Sequence, residues 1–360
     1  MTPATSVEIT SSVIKKDLDE VVHRARAALP KLAGRTILVS GGEGFLASYV
    51  VDALLNANRH GLDRACRVIC VDNRSTADPA RLAAGVGRDD FRLIEHDVTK
   101  PLLIDEHVDY VVHAASIASP TRYRERPLET IDVNVTGTRL LLELARAHQV
   151  DGFVFFSSSE IYGDPPPHKV PTSEDYWGHV SCTGPRACYD ESKRLGETLT
   201  ATYHRLYAVP VTTVRPFNVY GPRLRLDDGR VVPDFVRDVL EQRPIALYSD
   251  GRATRSFCYV TDAVVAILLL LALDGTGKAY NVGNDKEVTI GELAEALDRI
   301  AGEGRGVRHA EHADTEYLTD NPSRRSPDLT KLKQAIDWRP EVSLREGLCR
   351  TLAYYRELAS

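Results

Sequence analysis

Tyr189 and Lys193 are the residues of this chain whose types and spacing most directly suggest chemistry. Four positions apart, they would lie on one face of a helix. There the ammonium group would lower the pKa of the phenol from about 10 toward the working pH. The phenolate could then take the proton of a sugar or alcohol hydroxyl while a hydride leaves the same carbon. Because this spacing is common on helices, other parts of the chain must support the interpretation.

A glycine-rich turn provides the first support. Residues 36–40 predict a buried strand, and the turn at 41–48 leads into a helical pattern. Gly41 would allow the tight turn, and Gly44 would let a pyrophosphate reach the N-terminus of the helix. The next predicted strand ends in Asp72, which suits the ribose 2′-hydroxyl of NAD and repels the 2′-phosphate of NADP. The pattern therefore predicts NAD as the cofactor, with a glycine turn that binds no ligand as the alternative.

A third predicted strand ends in polar residues. The apolar segment 153–156 leads into Ser-Ser-Ser-Glu at 157–160. Ligand sites of open parallel sheets lie at the carboxyl ends of the strands, so Ser158 could align a substrate hydroxyl with Tyr189. Serines at this position also begin turns without any further role. Asn134, in a helix expected near the sheet, would be either a supporting residue or a plain polar one.

Longer segments of the chain resemble the extended short-chain dehydrogenase/reductases, and within them the UDP-glucuronate decarboxylases. The resemblance extends over about residues 35–355 and is most specific at 173–180 and 184–194, which contain Tyr-Trp-Gly-His and Gly-Pro-Arg-Ala-Cys-Tyr-Asp. It implies an α/β fold, a Rossmann-type doubly wound parallel sheet with a smaller mixed α/β C-terminal substrate domain. Further matching segments lie at 96–99, 115–120, 162–165, 217–223, 228–232 and 254–260.

Periodicity and resemblance together predict how the chain is organised. Residues 1–33 form an N-terminal extension, expected to be helical because its apolar residues share one helical face. The pattern fits either a helix docked on the protein or on a second subunit, or a loosely held amphipathic arm. Residues 34–220 form the predicted NAD-binding domain, to which 259–275 return. Residues 221–258 and 276–360 form the predicted nucleotide-sugar-binding domain.

Composition excludes several classes of partner. The chain has 360 residues, 43% hydrophobic and 27% charged, as is ordinary for a soluble enzyme. A net charge of −6 and a pI near 6.0 argue against a nucleic-acid partner. The six cysteines show no metal-ligand spacing, so we expect no metal site and reduced thiols in a cytoplasmic protein. The longest apolar run, 263–273, is too short to cross a bilayer, and no signal peptide is expected.

The resemblance implies a carboxy-lyase that uses NAD catalytically on UDP-glucuronate. Tyr189, with Lys193 and Ser158, would take the proton of the C4 hydroxyl as hydride passes to the nicotinamide. The C4 ketone would make the C6 carboxylate labile, and hydrogen-bond donors facing the resulting enolate are typically worth about 3–4 kcal/mol each. Hydride return would give UDP-xylose, and earlier release UDP-4-keto-xylose. Glu160 would act near the carboxylate and Arg255 in delivery of the C5 proton, with plain salt bridges as the alternative.

The remaining site residues also follow from the resemblance. Arginine suits pyrophosphate because its planar fork donates two hydrogen bonds. A homodimer paired through helices near 129–149 and 189–207 is implied as well. The cofactor-binding residues are Gly41, Gly44, Phe45, Leu46, Asp72, Asn73, Thr76, Asp97, Val98, Ala114, Ser116, Tyr189 and Lys193. The substrate-binding residues are Ser119, Tyr123, Asn134, Asn218, Arg230, Val231, Arg255 and Arg325.

Departures from the family pattern leave alternatives open. Glu43 stands where the glycine turn usually has a small residue, which would place an anion near the pyrophosphate and weaken NAD binding unless the side chain points outward. Ser159 stands where 4,6-dehydratases have an aspartate, and a 4-epimerase would not explain Glu160 with Arg255. A regulatory protein that only binds NAD would have no need of Tyr189 as a base.

Overall fold

A computed structural model of the protein describes residues 11–76, 81–82, 85, 87–275, 277–302, 304–312 and 319–359. The strands are β1 (Thr36–Ser40), β2 (Arg67–Asp72), β3 (Phe91–Glu95), β4 (Tyr110–His113), β5 (Gly152–Phe156), β6 (Val211–Pro216), β7 (Val219–Tyr220), β8 (Ile245–Leu247), β9 (Thr254–Ser256), β10 (Cys258–Tyr259), β11 (Ala279–Val282), β12 (Glu287–Thr289), β13 (Val307–His309) and β14 (Arg324–Arg325). The α-helices are α1 (Ser12–Arg24), α2 (Leu29–Leu32), α3 (Phe45–His60), α4 (Pro120–Glu125), α5 (Pro127–Asp132), α6 (Thr138–His148), α7 (Ala187–Tyr207), α8 (Val231–Leu240), α9 (Val260–Leu271), α10 (Ile290–Ala301), α11 (Thr330–Ala335) and α12 (Leu344–Ala359).

The central sheet is parallel and doubly wound. Its seven strands run in the order β11-β6-β5-β4-β1-β2-β3. Every neighbouring pair is parallel, with Ser40 of β1, for example, opposite both Val71 of β2 and His113 of β4. The strand order reverses between β1 and β4, and ligands of such sheets bind in the crevice at this reversal. The predicted fold class is confirmed.

The strands of the sheet are buried because helices cover both faces. β1 and β5 consist almost entirely of buried β-branched, leucine and aromatic residues, as expected of strands without a solvent face. Helices α3 and α9 contribute to the core on one face, and α6 and α7 to the core on the other. The apolar run of α9 is therefore part of the protein core. No helix among the described residues is long and apolar enough to span a membrane.

The first described helix is held by buried polar contacts. α1 lies against α3, α9 and α12. Its fully buried Asp17 accepts hydrogen bonds from the hydroxyls of Tyr49 (3.1 Å) and Tyr259 (2.8 Å) and pairs with Arg350 at 3.0 Å. Three separate segments of the chain therefore meet at one carboxyl group, so α1 is docked onto the core. Residues 1–10 of the expected N-terminal extension lie outside the described part.

The C-terminal half adds small sheets and helices to the large sheet. β9 pairs with β12 and β14, β8 pairs with β13, and β7 pairs with β10. The helix α10 begins with a capping box in which Thr289 and Glu292 satisfy each other's backbone N–H groups. Residues of these elements line the same cavity as the ends of β1, β4, β5 and β6. The division of the chain into two domains stays a prediction.

Candidate active site

A cavity of about 500 Å³ lies where the sheet meets the C-terminal elements. It collects most of the residues that the sequence singles out, although these are spread from the glycine turn to β14. The predicted site residues on its wall are Gly41, Gly44, Phe45, Leu46, Ala114, Ser116, Tyr123, Ser158, Glu160, Tyr189, Lys193, Asn218, Arg230, Val231, Arg255 and Arg325.

The glycine turn forms a cradle that fits a pyrophosphate. Gly41 has a φ of +69°, and a Cβ atom there would lie 2.6 Å from the Cα atom of Ala115, so the position requires glycine. Gly44 is the N-cap of α3 and provides no side chain to bond the first N–H groups of the helix. Those groups are available to an anion. The backbone at this turn therefore fits the phosphates of NAD.

The acid expected to bind the ribose is held firmly in place. Asp72 ends β2, and its two oxygens accept hydrogen bonds from the backbone N–H groups of Glu43 (3.0 Å) and Arg74 (2.8 Å). Each oxygen keeps a further lone pair for a ribose hydroxyl. Glu43 does not line the cavity; its carboxylate pairs with Arg74 beside Asp72. The sequence left open whether this anion would weaken NAD binding or point outward, and its effect on NAD affinity stays a prediction.

Four other predicted cofactor residues lie outside the cavity wall, around the carboxyl ends of β2 and β3. Asn73 is exposed and accepts a hydrogen bond from the backbone of Ser75, and Thr76 is half-buried. Asp97 accepts two hydrogen bonds from Thr99, and Val98 is buried. Their contact with a cofactor stays a prediction.

The Tyr189–Lys193 pair lies on α7 inside the cavity, with Ser158 opposite. The hydroxyl of Ser158 hydrogen-bonds the phenol of Tyr189. Lys193 Nζ lies 5.8 Å from the centre of the Tyr189 ring and donates to the carbonyl of Phe156 at 2.7 Å. Tyr189 and Lys193 lie on α7 and both line the cavity, as their spacing predicts, and the turn after β5 supplies Ser158 as the third member.

The expected lowering of the phenol pKa is not found in the protein alone. Burial raises the pKa of Tyr189 to about 12, and burial lowers the pKa of Lys193 to about 7. Desolvation of each charged form outweighs their mutual attraction, since the ammonium is bonded to a backbone carbonyl and not to the phenol. The phenol therefore needs a further positive charge close to it before it can act as a base near neutral pH.

Two predicted substrate residues have supporting positions instead. Asn134 is fully buried in a π-helical turn, Val133–Gly137, and donates to the hydroxyl of Ser192 at 2.8 Å, next to Lys193. Ser119 caps α4 and donates to the carbonyl of Asp228 at 2.7 Å. Neither lines the cavity. The amide N–H of Asn134 and the hydroxyl of Ser119 are bonded to neighbouring protein segments, whereas the side-chain oxygen of Asn134 has no partner among the described residues. Substrate contact stays a prediction for both.

Glu160 is the centre of a buried ion-pair cluster. Arg325 contacts both of its carboxylate oxygens, one of them at 2.7 Å, and Arg186 contacts one of the same oxygens. Burial opposes ionisation, yet the charges of Arg186 and Arg325 hold the pKa of Glu160 well below its usual range. Glu160 is therefore an anion whose charge is already compensated. Like-charge repulsion of a substrate carboxylate by Glu160 is not supported by these surroundings.

A third arginine makes the cluster positive overall. Arg255 is buried, and burial together with the charge of Arg325 lowers its pKa to about 9, so it is still a cation at neutral pH. Burial and the charge of Glu160 raise the pKa of Asp190 well above its usual range, so this acid adds little negative charge. Arg186, Arg255 and Arg325 thus face one carboxylate, which leaves room for the negative charge of a ligand.

The cavity wall also carries an aromatic pair and a second ion pair. Tyr123 stacks on Tyr189, with ring centres 5.1 Å apart and planes at 13°. Arg230, the N-cap of α8, makes a two-point ion pair with Asp228, and Val231 begins the helix. Asn218, with a φ of +40°, donates to the carbonyl of Ser256 at 3.1 Å. Tyr123, Arg230, Val231 and Asn218 line the same cavity as Tyr189.

Sequence reasoning missed the role of Arg186 and Asp190. Both belong to the segment that carried the resemblance, but neither was assigned to the site. A signal was present, since Arg186 lies three residues before Tyr189 and Asp190 directly follows it, at the start of the same helix. Spacing of three places side chains on adjacent helical positions. The contact of Arg186 with Glu160, and the effect of the Glu160 charge on Asp190, by contrast, depend on a residue that follows a separate strand.

Fold and cavity together are typical of an enzyme that binds a dinucleotide cofactor, with a tyrosine–lysine pair at the carboxyl edge of the sheet. The chain belongs to the NAD dependent epimerase/dehydratase family, which its residues 37–283 match. It is 42% identical over 313 residues to UDP-glucuronic acid decarboxylase 5 of Arabidopsis thaliana, covering 87% of this chain and 86% of that protein. It is 38% identical to UDP-glucuronic acid decarboxylase 1 of Xenopus tropicalis, and the match covers 90% of this chain and 72% of that protein.

Solved structures agree in fold. The dTDP-glucose 4,6-dehydratase of Streptomyces venezuelae, solved with NAD bound, superposes with a TM-score of 0.77 at 29% identity, covering 89% of this chain and 97% of that chain. The UDP-glucose 4-epimerase of Thermotoga maritima, solved with UDP-glucose, gives a TM-score of 0.77 at 28% identity, covering 90% of this chain and 100% of that chain. NAD as the cofactor, predicted from the glycine turn and Asp72, is confirmed at the level of the family.

Proposed function

We propose that this protein is an NAD-dependent UDP-glucuronate decarboxylase that forms a 4-keto sugar intermediate and yields UDP-xylose, UDP-4-keto-xylose or both. One observation carries the proposal: Ser158 and Tyr189 line the same cavity as the arginine cluster around Glu160. The hydroxyl-oxidising pair alone would also suit an epimerase or a dehydratase. The cluster adds a place for a carboxylate, and the decarboxylases named above are similar to this chain over most of its length.

The first chemical step belongs to Tyr189 and Ser158. Bound NAD supplies a hydride acceptor and, in its oxidised ring, a positive charge. A positive charge beside a buried phenol favours the phenolate, which offsets the effect of burial on Tyr189. Tyr189 then takes the proton of the C4 hydroxyl, and Ser158 holds the same oxygen by a hydrogen bond. Loss of the C4 hydride to that acceptor would leave a C4 ketone, β to the C6 carboxylate.

Loss of carbon dioxide breaks the C5–C6 bond. Its electron pair moves to the C4 oxygen, which becomes an enolate. The neutral phenol of Tyr189 and the hydroxyl of Ser158 donate to this oxygen, and such donors are typically worth about 3–4 kcal/mol each. Protonation at C5 restores the ketone. Arginine does not readily give up a proton. Arg255 would therefore orient a water molecule that protonates C5.

The arginine cluster binds the substrate acid without holding it too tightly. Three guanidinium groups would stabilise a bound carboxylate and so oppose its loss as neutral carbon dioxide. Glu160 already occupies Arg325 at two points and Arg186 at one. The substrate carboxylate therefore meets a field of moderate positive charge. We assign Glu160 the task of tuning that field.

Product analysis tests the proposed function. Purified protein is incubated with UDP-glucuronate and NAD, and released carbon dioxide is captured. The nucleotide sugars are separated, and their masses are determined by mass spectrometry. We expect carbon dioxide together with a pentose product, the keto form being two hydrogens lighter than UDP-xylose. UDP-glucose, which lacks the carboxylate, is the control. An epimer of unchanged mass, or loss of water without carbon dioxide, would reject decarboxylation in favour of the related reactions.

Pairing of two subunits is part of the proposal. Helices α5, α6 and α7 correspond to the segments near 129–149 and 189–207. Ile131 on α5 and Leu195 on α7 are 39% and 45% exposed, and these two helices pack against each other, so both side chains are available to a partner subunit. Light scattering at micromolar concentration should report a dimer, and Ile131→Glu with Leu195→Glu should shift it toward monomer. Leu358→Glu, on the exposed end of α12, is the matched control.

We also propose a cytoplasmic location. All six cysteines are free thiols in the structure, and Cys66, Cys70 and Cys258 are buried. Burial raises the pKa of the Cys66 thiol to about 12, which keeps it in the unreactive protonated form. Free thiols are ordinary in a reducing compartment. Fractionation of cells that produce the protein tests the location directly, and recovery in a secreted or membrane fraction would reject it.

A further inference from the structure

Glu43 and Arg74 form an ion pair beside the acid expected to bind the ribose. Glu43 is fully buried, and its oxygens lie 3.0 Å from Nε and 3.4 Å from Nη2 of Arg74. Arg74 is two residues beyond Asp72, and its backbone, with a φ of +56°, turns back so that its N–H bonds the Asp72 carboxylate. Two hydrogen bonds in parallel fix the guanidinium on Glu43.

The backbone links the same two residues to Asp72. The N–H groups of Glu43 and Arg74 donate to different oxygens of that carboxylate. A ligand oxygen bound to Asp72 would therefore lie close to the backbone of both residues. Glu95 is 3.5 Å from Arg74, and Arg81 donates to the carbonyl of Glu43. Three carboxylates thus share this corner with two guanidinium groups.

Cofactor choice depends on this corner, because NAD and NADP differ only at the ribose 2′-oxygen. Asp72 suits a 2′-hydroxyl and repels a 2′-phosphate, whereas an arginine nearby would favour the phosphate. The chain contains such an arginine, Arg74, directly after its ribose acid. Its guanidinium is already bonded at two points to a buried carboxylate, and breaking that pair would leave the Glu43 charge uncompensated.

We propose that Glu43 is a determinant of cofactor choice, which holds Arg74 away from the ribose 2′-position and so excludes NADP. The proposal rests on the NAD-dependent function proposed above and adds to it a residue of the glycine turn. Glu43 acts in two ways: it engages the cation that a 2′-phosphate would need, and it adds a second buried anion next to Asp72. Without Glu43, Arg74 is free to bind the phosphate.

Nucleotide binding to the full-length protein tests the proposal. Glu43→Gln keeps the shape of the side chain and removes its charge. Dissociation constants for NAD and NADP are measured by calorimetry on nucleotide-free protein, together with the rise in Tm that each nucleotide causes. A charge-assisted hydrogen bond is worth about 1.5–3 kcal/mol, so NADP should bind roughly ten- to a hundredfold more tightly to Glu43→Gln than to the wild type. NAD affinity should change by much less.

Two further variants separate the parts of the argument. Glu43→Gln combined with Arg74→Met should lose the gain in NADP affinity, because no guanidinium is left to bind the phosphate. Glu95→Gln removes the exposed carboxylate at 3.5 Å from Arg74 and should leave the NAD-to-NADP ratio nearly as in the wild type. Glu43→Ala serves as the second single variant and should follow Glu43→Gln.

The outcomes distinguish this inference from the proposed function. Unchanged NADP affinity in variants that still bind NAD would overturn the role of Glu43 and leave NAD dependence intact. An equal gain in the double variant would overturn the role of Arg74. Failure of the wild type to bind either nucleotide would overturn this inference and the NAD-dependent function together.

Discussion

Arg325 binds both carboxylate oxygens of Glu160 across 165 positions of sequence. This pair joins β14 to the turn after β5, and so connects a C-terminal segment to the edge of the central sheet where Tyr189 lies. Arg186, from the start of α7, contacts the same carboxylate. The site thus has an acid whose charge is set by two arginines from different parts of the chain. Several consequences can be measured.

Removing the charge of Glu160 should strengthen substrate binding and slow the reaction. In Glu160→Gln, Arg186 and Arg325 would lose their internal anion and become available to the substrate carboxylate. We expect the dissociation constant of UDP-glucuronate to fall, because the arginines would bind the substrate carboxylate more tightly. We also expect kcat to fall by about tenfold or more, because this stabilisation is lost as the carboxylate becomes neutral carbon dioxide in the transition state. Calorimetry and single-turnover kinetics measure the two effects.

The chain offers a matched control for that variant. Glu287 is bound at two points, both at 2.7 Å, by Arg324, the neighbour of Arg325, but this pair is outside the cavity. Glu287→Gln should leave substrate affinity and kcat nearly unchanged. Weaker substrate binding in Glu160→Gln would contradict the proposed tuning role and favour a direct attraction between Glu160 and a substrate hydroxyl.

Loss of the Tyr189 hydroxyl should abolish turnover. Tyr189→Phe keeps the ring and its stacking on Tyr123 but removes the acceptor of the C4 proton. General-base catalysis typically contributes about 10²–10⁴-fold, so the rate of carbon dioxide release should fall by at least that factor while NAD still binds. Tyr207→Phe, at the half-exposed end of the same helix, is the control. Near-normal carbon dioxide release from Tyr189→Phe would mean that another group takes the proton.

Arg255 should be needed for decarboxylation. It is buried beside Arg325 and faces the Glu160 cluster, whereas Arg252, on the same strand-turn segment, has a 90% exposed side chain. Arg255→Met should lose most carbon dioxide release, and Arg252→Met should behave as the wild type. If Arg255→Met kept normal turnover, its guanidinium would be a structural charge only.

The docking of α1 should depend on pH through Asp17. Burial raises the pKa of Asp17 from 3.8 to about 6 in the folded protein. Between these values the folded state binds the proton more readily than the unfolded state, so the stabilisation from this group falls as pH rises from about 4 to 6. The pKa difference of about 2 corresponds to roughly 3 kcal/mol.

Thermal unfolding measures that dependence. Asp17→Asn has no carboxyl group to titrate at this position. As pH rises from 4 to 7, the Tm of the wild type should therefore fall relative to the Tm of Asp17→Asn. Asp19→Asn, on the exposed face of α1 next to Asn56, is the control for removing a carboxylate from this helix. A difference between the wild type and Asp17→Asn that stays constant with pH would show that Asp17 has the same pKa folded and unfolded.

Local pattern predicted the parts of the site that lie close together in sequence. The strand, glycine turn and helix around Gly41 and Gly44 are adjacent in the chain, and each residue type is demanded by its own backbone or packing. The spacing of Tyr189 and Lys193 is a property of one helix. Such features need no knowledge of the rest of the fold, and the structure contains them as predicted.

Side-chain partners were less accessible to sequence reasoning. Asn134 and Ser119 have residue types that could bind a sugar, but their hydrogen bonds go to Ser192 and to the carbonyl of Asp228. Glu43 was expected near the pyrophosphate because it lies between two glycines, yet its carboxylate turns to Arg74. A pattern gives the position of a residue along the chain and not the direction in which its side chain finds a partner.

By itself, the sequence determined the parallel sheet, the glycine-rich turn and the tyrosine–lysine pair on its helix, because each follows from the period and the residue types of a short segment. Tertiary structure decided the charge of the site. Arg325 contacts Glu160 from 165 positions away in the sequence, and Arg350 contacts Asp17 from 333 positions away. Burial then shifted the pKa values of Tyr189 and Lys193 in directions opposite to those their pairing suggested. Desolvation depends on everything packed around a group, and only the folded chain assembles those surroundings.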